Sequence, residues 1–190
     1  MREAVELAPG EVGLFGYGSL LLQASMERTL QRPYPRKRYV CSIPGWRRTW
    51  DSLYPNKQYY FLDAEGSRCY PDSIVYLNIT PSSDTLNGVM YVVSEAELAG
   101  FDRREVYYSR VDITRALLDV EVKGGPAFVY VGKPEFTLRG AATVAHAAIR
   151  RSYVDIVNRG LKELGTAFRE SYLRSTDEPP EASLIDDCID

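Results

Sequence analysis

Phe15-Gly16-Tyr17-Gly18-Ser19-Leu20 gathers two glycines, a tyrosine and a serine hydroxyl directly after the apolar run Val12-Gly13-Leu14-Phe15. Glycine lets the backbone turn sharply and approach a ligand with no Cβ in the way. A strand that ends in such a turn aims several N–H groups into one concavity, which suits a carboxylate or an oxyanion. Taken alone, the stretch is first of all an ordinary glycine turn. A second residue gives it weight. Glu105 follows Phe101-Asp102-Arg103-Arg104 at the end of a helical pattern and precedes Val106-Tyr107-Tyr108. An acid at a helix C-terminus opposes the macrodipole, so it is not placed there for helix stability. Flanking aromatics would exclude water and raise its proton affinity. The plainer alternative is a surface glutamate paired with Arg103, Arg104 or Arg110.

Composition removes competing chemistries. The chain has 190 residues, a single histidine and three cysteines, Cys41, Cys69 and Cys188. One histidine excludes poly-histidine zinc sites and HExxH chemistry, and the scattered cysteines form no CxxC pair. No metal and no cofactor are expected. Any triad would have to use His146, whose alanine-rich setting reads as a helix-surface or packing position. The cysteines read as buried or incidental thiols in a reducing cytoplasm. The N-terminus carries acids and lacks an apolar h-region, so no secretory signal is expected. The formal net charge of −3 argues against a general nucleic-acid binder. Arg28, Arg32, Arg36, Lys37, Arg38, Arg47 and Arg48 nevertheless concentrate among Tyr34, Tyr39, Trp46 and Trp50. That pattern can follow a phosphate backbone, form a solvated strand face or attract a small anion at a rim.

The elements that must position these residues read as an α+β arrangement. Strands are expected at Tyr39–Ile43, Ser73–Ile79, Gly88–Val93, Val111–Ile113, Leu117–Val122 and Ala127–Val131, from β-branched and aromatic enrichment. Few helices separate them, so the sheet should be antiparallel or mixed. Helices are expected from Gln23 to about Leu30, after the capping box Ser94-Glu95-Ala96-Glu97, and over Ala142 to Arg174 with breaks near Gly160 and Gly165. Leu161, Leu164, Phe168, Tyr172 and Leu173 fall at helical spacing as a packing stripe. One domain over 1–176 and an acidic, flexible tail over 177–190 are expected.

In this order the residues resemble the gamma-glutamylcyclotransferase superfamily over most of the chain. Phe15 to Leu20 is similar to its YGS loop in the form seen in the ChaC-like branch. Pro44-Gly45-Trp46-Arg47-Arg48 resembles that branch's PGYxRRF segment, and Gly88-Val89-Met90-Tyr91 its GVxY strand. Glu105 falls at the family's catalytic glutamate, and Tyr153, Gly160 and Gly165 follow its tyrosine–glycine–glycine spacing.

The resemblance implies a mixed β-barrel with surrounding helices and a small-molecule γ-glutamyl substrate. It implies cyclisation of a γ-glutamyl peptide or amine to 5-oxoproline and a free amine, with no nucleic-acid or membrane partner. Glu105 would be the catalytic carboxylate, while Tyr17, Gly18, Ser19, Leu20 and Tyr153 would bind substrate. The Tyr153 hydroxyl would face the pocket, or its ring would pack.

The chain departs from the branch at Leu21-Leu22-Gln23, where a tryptophan is usual. It departs again at Val106-Tyr107-Tyr108-Ser109-Arg110, where a glycine-rich turn is usual. Asp51 to Pro71 has no counterpart in the resemblance and reads as a lid, a rim or a surface hairpin. The leaving amine and the oligomeric state stay open. Two other classes are a non-catalytic domain of the same fold that only binds a small molecule, and a nucleic-acid binder built on the basic first quarter.

Overall fold

A computed structural model describes residues 2–138, 146–180 and 183–190. Two long strands organise it. β3 (Tyr39–Pro55) and β6 (Ser73–Ser94) run antiparallel along all of β3, from Tyr39 opposite Met90 to Pro55 opposite Ser73. The sequence reads three separate strands here. The polar residues between the apolar runs belong to the same ladder, which continues through register shifts at Pro44/Trp46 and Trp50/Ser52. β4 (Tyr59–Leu62) and β5 (Arg68–Cys69) form a small hairpin at the end of this ribbon.

The other edge of β6 is shared. β2 (Glu11–Gly16) pairs antiparallel with its C-terminal end, from Glu11–Ser94 to Gly16–Val89. β10 (Ala147–Arg150) pairs parallel with Ser73 and Ile74 at its N-terminal end. Between Ile74 and Val89 this edge carries no ladder among the described residues, and the chain leaving β2 passes there. Outward from β2 lie β9 (Ala127–Gly132), parallel to it, and β7 (Tyr108–Asp112), antiparallel to β9. The fold is therefore α+β with mixed sheets. A parallel pair of β1 (Glu3–Glu6) and β8 (Val120–Lys123) flanks it.

Four α-helices pack on these strands among the described residues. α1 (Gln23–Leu30) and α2 (Glu95–Arg104) lie where the sequence puts them. At the start of α2 the capping box is complete: Glu97 N–H donates to Ser94 Oγ at 3.2 Å and Ser94 N–H to Glu97 Oε2 at 2.9 Å. The expected helix over Ala142 to Arg174 is corrected. Residues 142–145 lie outside the described residues, and Ala147–Arg150 is strand β10, with Ala147, Ala148 and Ile149 buried. Burial between two strand neighbours overrides alanine's helix propensity.

α3 (Arg151–Leu164) runs straight through Gly160, and only Gly165 (φ 89°) separates it from α4 (Thr166–Arg174). A Cβ at Gly160 would stand 2.7 Å from the Leu22 nitrogen and 2.8 Å from the Leu21 carbonyl carbon. Gly160 is thus a contact point between helix and loop, and not a helix break.

His146 sits in a turn before β10, exposed, with Nδ1 2.7 Å from Asp72 Oδ2. It belongs to no helix. The segment read as a flexible tail returns to the body. β11 (Leu184–Ile185) pairs with β10 and β12 (Cys188–Ile189) with β4. Asp187 accepts from Ser152 N–H at 2.9 Å and faces Arg150 at 3.4 Å. No helix of the described residues is long and apolar enough to cross a membrane.

Candidate active site

The chain turns out of β2 at Gly16 and crosses the unladdered stretch of β6 as a 3₁₀ turn, Ser19–Leu21. Long-range bonds hold this loop. The Tyr17 hydroxyl donates to the Tyr130 carbonyl at 2.9 Å, Tyr91 Oη donates to the Leu20 carbonyl at 2.7 Å, and Arg48 Nε donates to the Tyr17 carbonyl at 2.8 Å. The described hydrogen bonds leave the N–H groups of Gly18, Ser19 and Leu20 without a protein acceptor. A carboxylate or developing oxyanion could be received there.

Arg48 is fully buried and faces no carboxylate among the described residues. Its guanidinium also donates to the Asn87 carbonyl, to Asn87 Oδ1 at 3.2 Å, to Ser175 Oγ at 3.2 Å and to Thr176 Oγ1 at 3.3 Å. It lies over the Tyr172 ring at 4.0 Å. Burial lowers its pKa to about 10, so the cation persists at neutral pH.

Glu105 caps α2. Its N–H donates to the Phe101 carbonyl at 2.8 Å and its carbonyl accepts from Tyr108 N–H at 2.9 Å. Held at both ends, the residue directs its side chain inward, where only 14% stays exposed. Oε2 accepts from Tyr54 Oη at 3.3 Å, and Oε1 lies 3.1 Å from Arg104 Nε. Burial raises the carboxyl's proton affinity, and Arg104 and Tyr54 offset this only in part. Arg104 also reaches the loop, donating to Ser19 Oγ at 2.8 Å and to Thr29 Oγ1 at 2.7 Å.

Glu105, Tyr17, Gly18, Ser19, Leu20 and Tyr153 all line one cavity of about 420 Å³. Such a volume holds a small molecule. Tyr153, in the first turn of α3, brings its hydroxyl against Gly18, where a Cβ would stand 2.9 Å from it. Its ring meets Tyr76 edge-on at 4.9 Å, and Tyr76 meets Tyr54 at 4.8 Å. The ring packs, and the hydroxyl stands against the Gly18 backbone. Tyr54, Arg104, Arg28 and Arg150 line the same cavity and were not singled out as site residues from sequence. Tyr54 comes from Asp51–Pro71, so the N-terminal end of that segment is cavity wall and Tyr59–Cys69 is a hairpin.

The other candidates lie elsewhere. His146 is absent from the lining, and burial pushes the Cys41 thiol up to about 12, which leaves no thiolate at neutral pH. The basic first quarter is largely neutralised by ion pairs: Arg32–Glu97, Arg36–Glu11, Lys37–Glu3, Arg38–Glu163, and Arg47 with Asp84 and Asp177.

Among solved structures the chain superimposes on a gamma-glutamyl cyclotransferase with a TM-score of 0.59 at 15% identity, over 90% of each chain. The fold is that of the gamma-glutamyl cyclotransferases. An uncharacterised human protein matches at a TM-score of 0.53 and 14% identity, again over 90% of each chain. A yeast gamma-glutamyl cyclotransferase specific to glutathione matches at 0.50 and 12%, over 88% of this chain and 97% of that one. No protein-family model and no curated protein matches the sequence. A cyclotransferase fold at such identities establishes architecture, and activity has to be argued from the site.

Proposed function

We propose that the chain cleaves a γ-glutamyl amide by intramolecular cyclisation, releasing 5-oxoproline and a free amine. The observation that carries this is one buried carboxylate, Glu105, in a cavity also lined by Gly18, Ser19 and Leu20, whose N–H groups have no protein acceptor among the described hydrogen bonds. A γ-glutamyl compound brings its own nucleophile. Its α-amino nitrogen closes a five-membered ring on the γ-carbonyl carbon, and the geometry of the molecule supplies much of the entropic advantage.

The protein then has two tasks. It must move protons, and it must steady the charge that develops on the γ-carbonyl oxygen. Between ammonium and lactam the α-nitrogen gives up two protons, and the departing amide nitrogen takes up two as it becomes an ammonium. One C–N bond forms and one breaks. Glu105 accepts protons from the attacking nitrogen and returns them to the leaving one, and its raised proton affinity suits both halves. Gly18, Ser19 and Leu20 hold the γ-glutamyl group through backbone N–H donors and the Ser19 hydroxyl, and the oxyanion is stabilised where water is scarce. Tyr153 Oη closes the cavity opposite Gly18.

The test is a mass-spectrometric screen of γ-glutamyl amino acids, peptides and amines. The purified chain should release 5-oxoproline and amine in equal amounts. Glu105→Gln should turn over at least ~100-fold more slowly, the scale of a lost general base, with an unchanged circular dichroism spectrum. Full turnover by that variant would remove Glu105 from its role.

A further inference from the structure

Three guanidinium groups line the cavity beside one carboxylate: Arg28, Arg104 and Arg150 with Glu105. Two of the three are occupied. Arg104 is committed to Glu105, Ser19 and Thr29. Arg150 faces Asp187 at 3.4 Å, donates to Tyr76 Oη at 3.2 Å and stacks at 3.8 Å over the Tyr59 ring. Arg28, in the last turn of α1, is exposed, and the described hydrogen bonds and ion pairs give it no partner. It also stands apart from Arg32, Arg36, Lys37, Arg38 and Arg47, each of which faces a carboxylate.

Depth gives this charge a direction. Tyr17, Leu20 and Tyr153 are buried and the Glu105 side chain nearly so, whereas Arg28 is exposed to solvent. A γ-glutamyl head that reaches Glu105 with its ammonium, the Gly18 N–H with its γ-carbonyl oxygen and the Ser19 and Leu20 N–H groups with its α-carboxylate lies at the buried end. Its leaving amine then points to the rim. Nothing negative in the head remains for Arg28 to bind.

We propose that Arg28 receives a carboxylate carried by the leaving amine, so that the site prefers γ-glutamyl amino acids and peptides to γ-glutamyl derivatives of uncharged amines. The inference rests on the cyclotransferase reading and adds a selectivity to it. Guanidinium matches carboxylate geometry through paired N–H donors. At an exposed rim the interaction is screened by salt.

The experiment compares γ-glutamyl-alanine with γ-glutamyl-ethylamide, which differ only by that carboxylate. With the wild-type chain at low salt, kcat/KM for the alanine compound should be roughly five- to tenfold higher, the scale of one partly exposed charge-assisted contact. The difference should appear mainly in KM and shrink at high salt. Arg28→Gln should bring the ratio near one, and Arg28→Lys should keep part of it. Calorimetric binding of both compounds to the Glu105→Gln variant reads the same ratio without turnover.

Equal use of the two compounds by the wild type overturns the inference. So does an Arg28→Gln variant that weakens both alike, since that places Arg28 on the head carboxylate. A preserved binding ratio with no 5-oxoproline from either compound supports the Arg28 subsite and sinks the reaction instead.

Discussion

Tyr54 donates its phenolic hydrogen to Glu105 Oε2 at 3.3 Å, across a sequence separation of 51 residues. A donor to a carboxylate favours the ionised form, and here it works against the burial that favours the protonated one. Tyr54→Phe removes the donor and keeps the ring against Tyr76 and Tyr107. Glu105 should then hold its proton to higher pH. In the cyclotransferase reading the acid limb of the pH–rate profile moves upward, and kcat/KM at pH 6 falls about three- to tenfold. At pH 8 the loss should be smaller. A loss of equal size at both pH values would show that Tyr54 acts only through packing.

Glu105 itself opposes folding when ionised. A carboxyl whose proton affinity is raised by burial binds more protons in the native state than in the unfolded chain. Stability therefore declines as pH rises from the ordinary carboxylate range through the raised value. Glu105→Gln removes the buried charge. Its melting temperature should exceed that of the wild type at pH 7 to 8, and the two should converge near pH 4. Measuring both proteins by calorimetry across that range checks the sign. A wild type that is the more stable of the two at pH 8 would mean that the pairs with Arg104 and Tyr54 outweigh desolvation.

Gly18 and Tyr153 meet in the wall of the cavity. A Cβ at position 18 would approach Tyr153 Oη to 2.9 Å, while Leu77 Cβ and Cδ1 are both at a comfortable 3.7 Å. Gly18→Ala should displace the phenol and lower kcat/KM by more than about tenfold, the effect of misplacing a positioning group. Removing the hydroxyl in the same chain relieves the contact. Gly18→Ala/Tyr153→Phe should melt closer to the wild type than Gly18→Ala does. If the double variant is no more stable, the clash is not the source of the loss.

The ends of α1 and α2 were legible because their signals are local: a turn before Gln23, and a serine and glutamate three residues apart at Ser94 and Glu97. The loop at Tyr17–Leu20 and the acid at Glu105 were legible because each has an unusual residue type for its position. Tyr54 and Arg104 were not. Nothing near Tyr54 in the sequence marks it, and its part is assigned by the β3–β6 ladder that carries it to Glu105. The strand at Ala147–Arg150 was hidden by alanine, whose local preference yields to burial beside β6. The role of Gly160 was hidden because a glycine in a helix signals a break unless another backbone is known to touch it.

Arg48, outside the cavity lining, is the least expected support of the loop, a buried cation whose neighbours are carbonyls, hydroxyls and an aromatic face. Its hold on the Tyr17 carbonyl has a consequence through the planarity of the peptide. The carbonyl of Tyr17 and the N–H of Gly18 belong to one rigid unit and point in opposite directions. Fixing the carbonyl toward Arg48 fixes the Gly18 N–H on the opposite side of that peptide, away from Arg48. In the cyclotransferase reading Arg48 is therefore a positioning residue for the Gly18 donor.

Arg48→Met would leave the acceptors of Tyr17, Asn87, Ser175 and Thr176 unpaired, at a cost of about 3 kcal/mol or more. Arg48→Lys keeps the charge and can reach only some of these acceptors, so it should fold with a smaller loss. In that folded variant kcat should fall more than KM rises, because in the cyclotransferase reading the Gly18 donor is needed most when charge develops on the γ-carbonyl oxygen. Steady-state kinetics with γ-glutamyl-alanine separates the two parameters. An Arg48→Lys variant with lowered melting temperature and unchanged kcat would confine Arg48 to holding the fold together.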